Sequence, residues 1–316
     1  MPNWRQVLDE INQEKTARAE EANKKNAEST GAVDTVRRKY LAALHQHTGR
    51  NVIAYYSAFL SKPDIPSEIN DEDKNGFMMA IHNLDRKKGL DLILHTPGGS
   101  IAATESIVDY LHKMFGSDIR AIVPQIAMSA GTMIACSCKK ILMAKHSNLG
   151  PIDPHLGNVP AYGVIREFKR ACREVKKEPS KIPIWQEIIG KYPPTFLSRC
   201  ENAINWSNAF VQKQLEQVMF ASDPVPGNAK KKAQIAVRKL TDFKGNKSHD
   251  RHIDRDECRA IGLDVDDIEA DATLQDLILT VHHSYMHSLM NTTAYKMIEN
   301  HLGVALAKHQ RRDVTS

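Results

Sequence analysis

Along the middle of the chain, short apolar runs about a strand long alternate with stretches whose apolar residues recur at helical spacing. Asn51-Val52-Ile53-Ala54-Tyr55-Tyr56-Ser57, residues 90–96, residues 119–124 and residues 140–145 are each nearly continuous in apolar character. Runs of that length predict strands buried on both faces, as in a parallel sheet. Between them, residues 71–83 carry a helical stripe at Phe77, Ala80 and Ile81 that continues to Leu84. Residues 101–115 predict a second helix, and a third runs from Ser129 to Cys138. This alternation predicts an α/β core with helices packed on a largely parallel sheet.

The flanks read differently. Residues 1 to about 47 predict helix, with apolar Trp4, Val7, Leu8 and Ile11, a charge-rich stretch from Glu14 to Lys25, and a break at Glu28-Ser29-Thr30-Gly31. From Val164 the pattern becomes long amphipathic helices at 163–176 and 195–219, interrupted at Asp223-Pro224-Val225-Pro226-Gly227-Asn228. Further helices are expected at 230–240, 254–261, 275–290 and 294–307. The expected divisions are a helical arm (1–48), an α/β core (49–162), a helical elaboration returning to the core (163–270) and C-terminal helices (271–316).

Composition narrows the function classes. With 316 residues, 41% hydrophobic and 26% charged, the chain can bury a large core. Its net charge of +5 is small and evenly spread, which argues against a nucleic-acid partner. No stretch approaches the ~20 apolar residues of a membrane span, and Met1-Pro2-Asn3-Trp4-Arg5-Gln6 lacks the apolar core of a signal peptide. The five cysteines show no CxxC pairing, so Cys136 and Cys138 read as buried reduced thiols. A cytoplasmic protein is expected.

Two turns carry the candidate chemistry. His95-Thr96-Pro97-Gly98-Gly99-Ser100 closes one apolar run, and Ala127-Met128-Ser129-Ala130-Gly131-Thr132 closes the next; Gly99 lies 30 residues before Ser129. That interval fits one βαβ unit, which sets both turns side by side at one sheet edge. A Gly-Gly turn exposes backbone N–H groups without a Cβ in the way. A serine opening the following helix is either an N-cap or a nucleophile beside free amides. Together the turns supply the parts of an acyl-transfer site with an oxyanion hole. Neither the dinucleotide nor the P-loop phosphate motif is present.

This pair of turns, with His146-Ser147-Asn148-Leu149-Gly150-Pro151-Ile152-Asp153-Pro154 and Ser248-His249-Asp250-Arg251-His252-Ile253 downstream, resembles the ClpP/crotonase superfamily. Within it, the likeness is to the serine dehydrogenase proteinase family, over roughly residues 50–270. The resemblance implies a ClpP/crotonase-like fold with stacked ββα units, and a serine endopeptidase that needs no cofactor or metal. It makes Ser129 the nucleophile and Gly99 and Ala130 the oxyanion donors, acting on a peptide or protein substrate. It also implies a homo-oligomer.

The general base stays open between two residues. Asp153 stands near the place where the Clp protease proteolytic subunit carries its histidine, and His155 follows two residues on. His249 lies in a segment similar to one of the proteinase family, and an imidazole titrates near neutral pH without tuning. His249 oriented by Asp153 is the expected base. Lys191, loosely matching the lysine base of signal peptide peptidase A, is the alternative and would need burial to lower its pKa. Rival functions are a crotonase-type thioester enzyme and a non-catalytic oligomeric scaffold. His283 and His287, spaced i, i+4, read as solvated helix surface rather than metal ligands. The apolar residues Ile184, Trp185, Ile188 and Ile189, with Phe210, Val211, Leu215, Val218, Met219 and Phe220, suggest either a subunit interface or packing within the subunit.

Overall fold

The computed structural model describes residues 4–22, 31–157, 159–242 and 250–310. Two helices come first, α1 (Trp4–Ala22) and α2 (Ala32–Thr48), joined through Val7, Ile11 and Val36. Gly49, in the left-handed region at φ 67°, stops α2 and returns its N–H to the His45 carbonyl. The core then alternates as the pattern predicts: β1 (Asn51–Ser57), α3 (Asp73–Ile81), β2 (Leu90–His95), α4 (Ile101–Phe115), β3 (Ile119–Val123), a short β4 (Ile126–Ala127), α5 (Ala130–Cys136) and β5 (Lys140–Met143).

β1, β2, β3 and β5 pair in parallel, in the spatial order β5-β3-β2-β1. Successive side chains of a strand point to opposite faces, and both faces are covered. Ile53 and Tyr55 join Leu92, Leu94 and the helices α3, α4 and α5. Val52, Ala54 and Tyr56 meet Leu41 and Leu44 of α2 on the other side. Covering both faces explains why β1 and β2 are apolar almost throughout.

Beyond the core, β6 (Asn148–Leu149) lies beside β4, and the hairpin β7 (His155–Leu156) and β8 (Val159–Pro160) leads into α6 (Ala161–Lys177). α7 (Ile182–Ile189) was not foreseen. α8 (Phe196–Gln214) ends in a π-helical turn at Leu215–Met219, and α9 (Asn228–Leu240) follows. β9 (Ile253–Asp254) pairs with β6, so β4, β6 and β9 form a small second sheet. α10 (Arg255–Ile261) leads to β10 (Val265–Asp267), which adds to the edge of the main sheet beside β5. α11 (Ala272–Asn291) covers the α2 face. The fold is α/β with a seven-stranded, mostly parallel central sheet, as expected.

Two expectations fail. The helix predicted over 294–307 is the antiparallel hairpin β11 (Ala294–Asn300) and β12 (Ala305–His309), with β11 adjoining β1. The charged residues of β11 are buried and paired, not solvated. Lys296 Nζ sits 3.0 Å from both Asp73 carboxylate oxygens, and Glu299 accepts from Arg37 Nε at 2.5 Å and from the Tyr285 hydroxyl at 2.9 Å. His283 and His287 are not solvated surface: His287 is buried, with the Trp4 ring 3.9 Å away between centroids. Phe210, Val211, Leu215, Met219 and Phe220 pack into the subunit's own core, although Ile184 stays exposed. Cys136 and Cys138 are buried free thiols as read, pushed up to about 12 by burial and therefore inert. Among the described residues no helix is long and apolar enough to cross a membrane.

Candidate active site

The two turns meet through the backbone just beyond β2. Thr96 bridges Ala127: its N–H donates to the Ile126 carbonyl at 3.2 Å, and its carbonyl accepts from Met128 N–H at 3.0 Å. Gly98 and Gly99 then turn at φ 103° and 152°. A Cβ on Gly98 would lie 2.7 Å from Ser129 Cβ and 2.9 Å from Ala130 N, so the close approach of the two turns requires glycine there.

Gly99 bridges Ile69 on its other side. Ile69 N–H donates to the Gly98 carbonyl at 2.7 Å, and Ser100 N–H donates to the Ile69 carbonyl at 2.9 Å. Those bonds use the groups flanking Gly99, so its own N–H is directed away from Ile69. Any Cβ at Gly99 would sit 2.4 Å from Ile69 backbone atoms.

Ser129 has the non-glycine conformation φ 49°, ψ −114°, a strained region for an L-residue. It precedes α5 but its side chain makes no capping hydrogen bond. The N-cap alternative therefore fails, and the hydroxyl is left available. The strain is held in place from both sides. Gly131 N–H closes the turn onto the Met128 carbonyl at 2.7 Å, and a Cβ on Gly131 would meet Thr96 Cγ2 at 2.6 Å. Thr132 Oγ1 donates to the Ala127 carbonyl and accepts from Gly150 N–H, both at 2.9 Å, tying the turn to the loop after β6.

Ser129, Gly98 and Gly99 line one cleft of about 430 Å³. Met133, Ile152 and Leu156 give it apolar walls, and Trp206 of α8 also lines it. Trp206 and Glu68, which both line the cleft, were not singled out from the sequence. Neither belongs to a motif, and a 3.6-residue stripe does not reveal which exposed residue of α8 faces a cleft.

The base candidates fall in different places. His155 lines the cleft, while Asp153 is buried two residues before it. His249 lies outside the described residues. The chain on either side of it is anchored at the loop that carries Asp153: Ile152 N–H donates to the Leu240 carbonyl at 3.3 Å, and Ile253 pairs with Leu149. Lys191 follows α7 with its side chain 73% exposed, 3.9 Å from Glu187, and does not line the cleft. Nothing there supplies the burial that a lysine base needs.

His95, just before the Gly-Gly turn, belongs to the other face of the sheet. It packs among Tyr56, Phe59 and His282, and among the described residues neither ring nitrogen finds a hydrogen-bond partner. Burial pushes its pKa down to about 3, so it supports the turn as a neutral ring.

Two curated relatives are similar to this chain, both uncharacterized proteins of Methanocaldococcus jannaschii. One is 33% identical over 195 residues, covering 62% of this chain and 59% of the relative. The other is 33% identical over 147 residues, covering 45% and 50%. The chain thus spans between half and three fifths of the length of these relatives. Residues 32–291 match the family described as ClpP-like SDH-type serine proteinase, a span that includes both turns, the cleft and the helices around it. On that match, which takes in most of the sequence, this chain belongs to the ClpP-like SDH-type serine proteinases.

Proposed function

We propose that the protein is a serine peptidase that cleaves peptide bonds through an acyl-enzyme on Ser129. The observation that carries this reading is Ser129 itself: strained, uncapped and directly against the Gly98-Gly99 turn on the wall of a cleft. In this mechanism the hydroxyl attacks the substrate carbonyl carbon, and its proton passes to the base. The N–H groups of Gly99 and Ala130 stabilise the oxyanion. The protonated base then donates to the leaving amine, and a water deprotonated by the same base releases the acyl group.

His249 is the proposed base and Asp153 its orienting carboxylate. Support comes from the anchoring of both flanks of residues 243–249 at the loop of Asp153 and from the exposure of Lys191. The substrate is a peptide or protein segment that can enter an apolar cleft, and the working form is a homo-oligomer.

Turnover of an unstructured fluorogenic peptide tests the base. His249→Ala should lower kcat by about 10²–10⁴, whereas Lys191→Ala should leave it within about twofold, the behaviour of a surface residue. His155→Ala should act chiefly on KM. Abolition of turnover by His155→Ala or Lys191→Ala, with His249→Ala nearly normal, would reassign the base.

A further inference from the structure

The wall of the cleft carries a charge that the peptidase mechanism does not use. Ser67 and Ile69 are buried, at 2% and 1% exposed, while Glu68 between them is exposed and lines the cleft. Alternation along an extended segment puts the Glu68 side chain on the face opposite its neighbours. The segment is fixed along its length: Ser57 Oγ donates to the Ser67 carbonyl at 2.8 Å, Lys296 Nζ to the Glu68 carbonyl at 2.5 Å, and Ile69 bridges Gly99. Glu68 is therefore held one residue from the strand contact that positions the oxyanion turn.

Its carboxylate is compensated only in part, by the charge of Lys296. Among the described residues it makes no ion pair or side-chain hydrogen bond. The nearby cation, Lys296, is buried and already bound to both oxygens of Asp73 at 3.0 Å. Around Glu68 the described cleft is apolar or small, with His155 the other ionisable side chain on its walls. A cationic side chain entering the cleft would meet this carboxylate with no second acidic group on the described walls.

Resting on the peptidase reading of the same cleft, we propose that Glu68 is a specificity-determining residue that selects a lysine or arginine side chain close to the scissile bond. The overall charge of +5 acts in the opposite sense, since its field disfavours cationic peptides. A preference for them must then come from a local group, which makes the proposal sharp.

The test uses the full-length protein and three otherwise identical hexapeptide series carrying Lys, Gln or Glu at each position in turn around the cleaved bond. Two quantities are read: kcat/KM with active enzyme, and Kd by calorimetry with Ser129→Ala. At one position Lys should exceed Glu by about tenfold in both readouts, the scale of a partly screened charge contact. That ratio should fall toward 1 in Glu68→Gln and invert in Glu68→Lys. Cleavage or binding with a ratio below about 2 at every position, or a ratio unmoved in Glu68→Lys, overturns the subsite while leaving the peptidase reading intact. Glu68-dependent, Lys-selective binding without cleavage keeps the subsite and overturns the peptidase reading. Absence of both binding and cleavage overturns the subsite.

Discussion

At the scale of single residues, the site rests on backbone conformations that side chains resist. Ser129 keeps φ 49° because Thr96, Gly131 and Thr132 determine its turn from three directions. Such strain costs about 1–3 kcal/mol in a non-glycine residue. Ser129→Gly should therefore be more stable to denaturant than Ser129→Ala, by about 1 kcal/mol after the entropy cost of glycine. Equal midpoints for the two variants would show that the conformation is unstrained. Gly98 answers to a different constraint, the Ser129 turn packed against it. Gly98→Ala would put a Cβ within 3 Å of three atoms of that turn. We expect turnover to fall by about 10²–10³, the loss typical of a displaced oxyanion donor. A folded Gly98→Ala protein with normal kcat would contradict the contact. Buried histidines set the acid limit. His95 titrates at about 3, and burial also pushes His282 well below its ordinary value of 6.5. Below pH 6.5 the unfolded chain binds protons that the folded state refuses, so stability falls as pH drops from 6.5 toward 3. Each group gives a slope of about 1.4 kcal/mol per pH unit. Melting temperatures at pH 7.5 and 5.5 should show a clear drop, reduced in His95→Leu; a pH-independent Tm would refute it.

At the scale of elements, the legible parts of the sequence were those where one physical demand dominates. α4 was expected at 101–115 and spans Ile101–Phe115, because an amphipathic stripe, the Ser100 cap and Gly116 agree. β2 and β3 were legible because both their faces are buried in apolar clusters. Both turns of the candidate site were legible because close approach forces glycine into them. The β11–β12 hairpin was not, because Lys296 and Glu299 look like the polar face of a helix until Asp73 and Arg37 are known to meet them. Those partners lie more than 200 residues away, at distances no local pattern encodes. The same pairing makes a strong prediction. Arg37→Met would leave Glu299 buried with only Arg38 and Tyr285 as partners, at a cost of about 1–3 kcal/mol. Arg37→Met with Glu299→Leu should recover part of that. Denaturant midpoints for the single and double variants decide; a loss under about 1 kcal/mol in the single variant would show that the network is not needed for stability.

For the whole molecule, two sheets set the geometry: the Gly98-Gly99 turn follows β2 of the main sheet, the Ser129 turn follows β4 of the small one, and α8 adds Ala203 and Trp206 to the cleft wall. Much of the apolar surface that suggested a subunit interface packs inside the subunit, so the proposed homo-oligomer would have to use what stays exposed, Ile184 included. Light scattering at low micromolar concentration should give a mass that is a multiple of 35.5 kDa, and a fully active monomer would refute the oligomer. The central claim is more direct, that Ser129 is an activated nucleophile in a preformed oxyanion site. A fluorophosphonate probe tests it, followed by mass spectrometry of the labelled peptide. The account predicts covalent labelling of the wild-type protein at Ser129, absent from a folded Ser129→Ala variant. Labelling at another residue, or none in a folded wild-type protein, would contradict it.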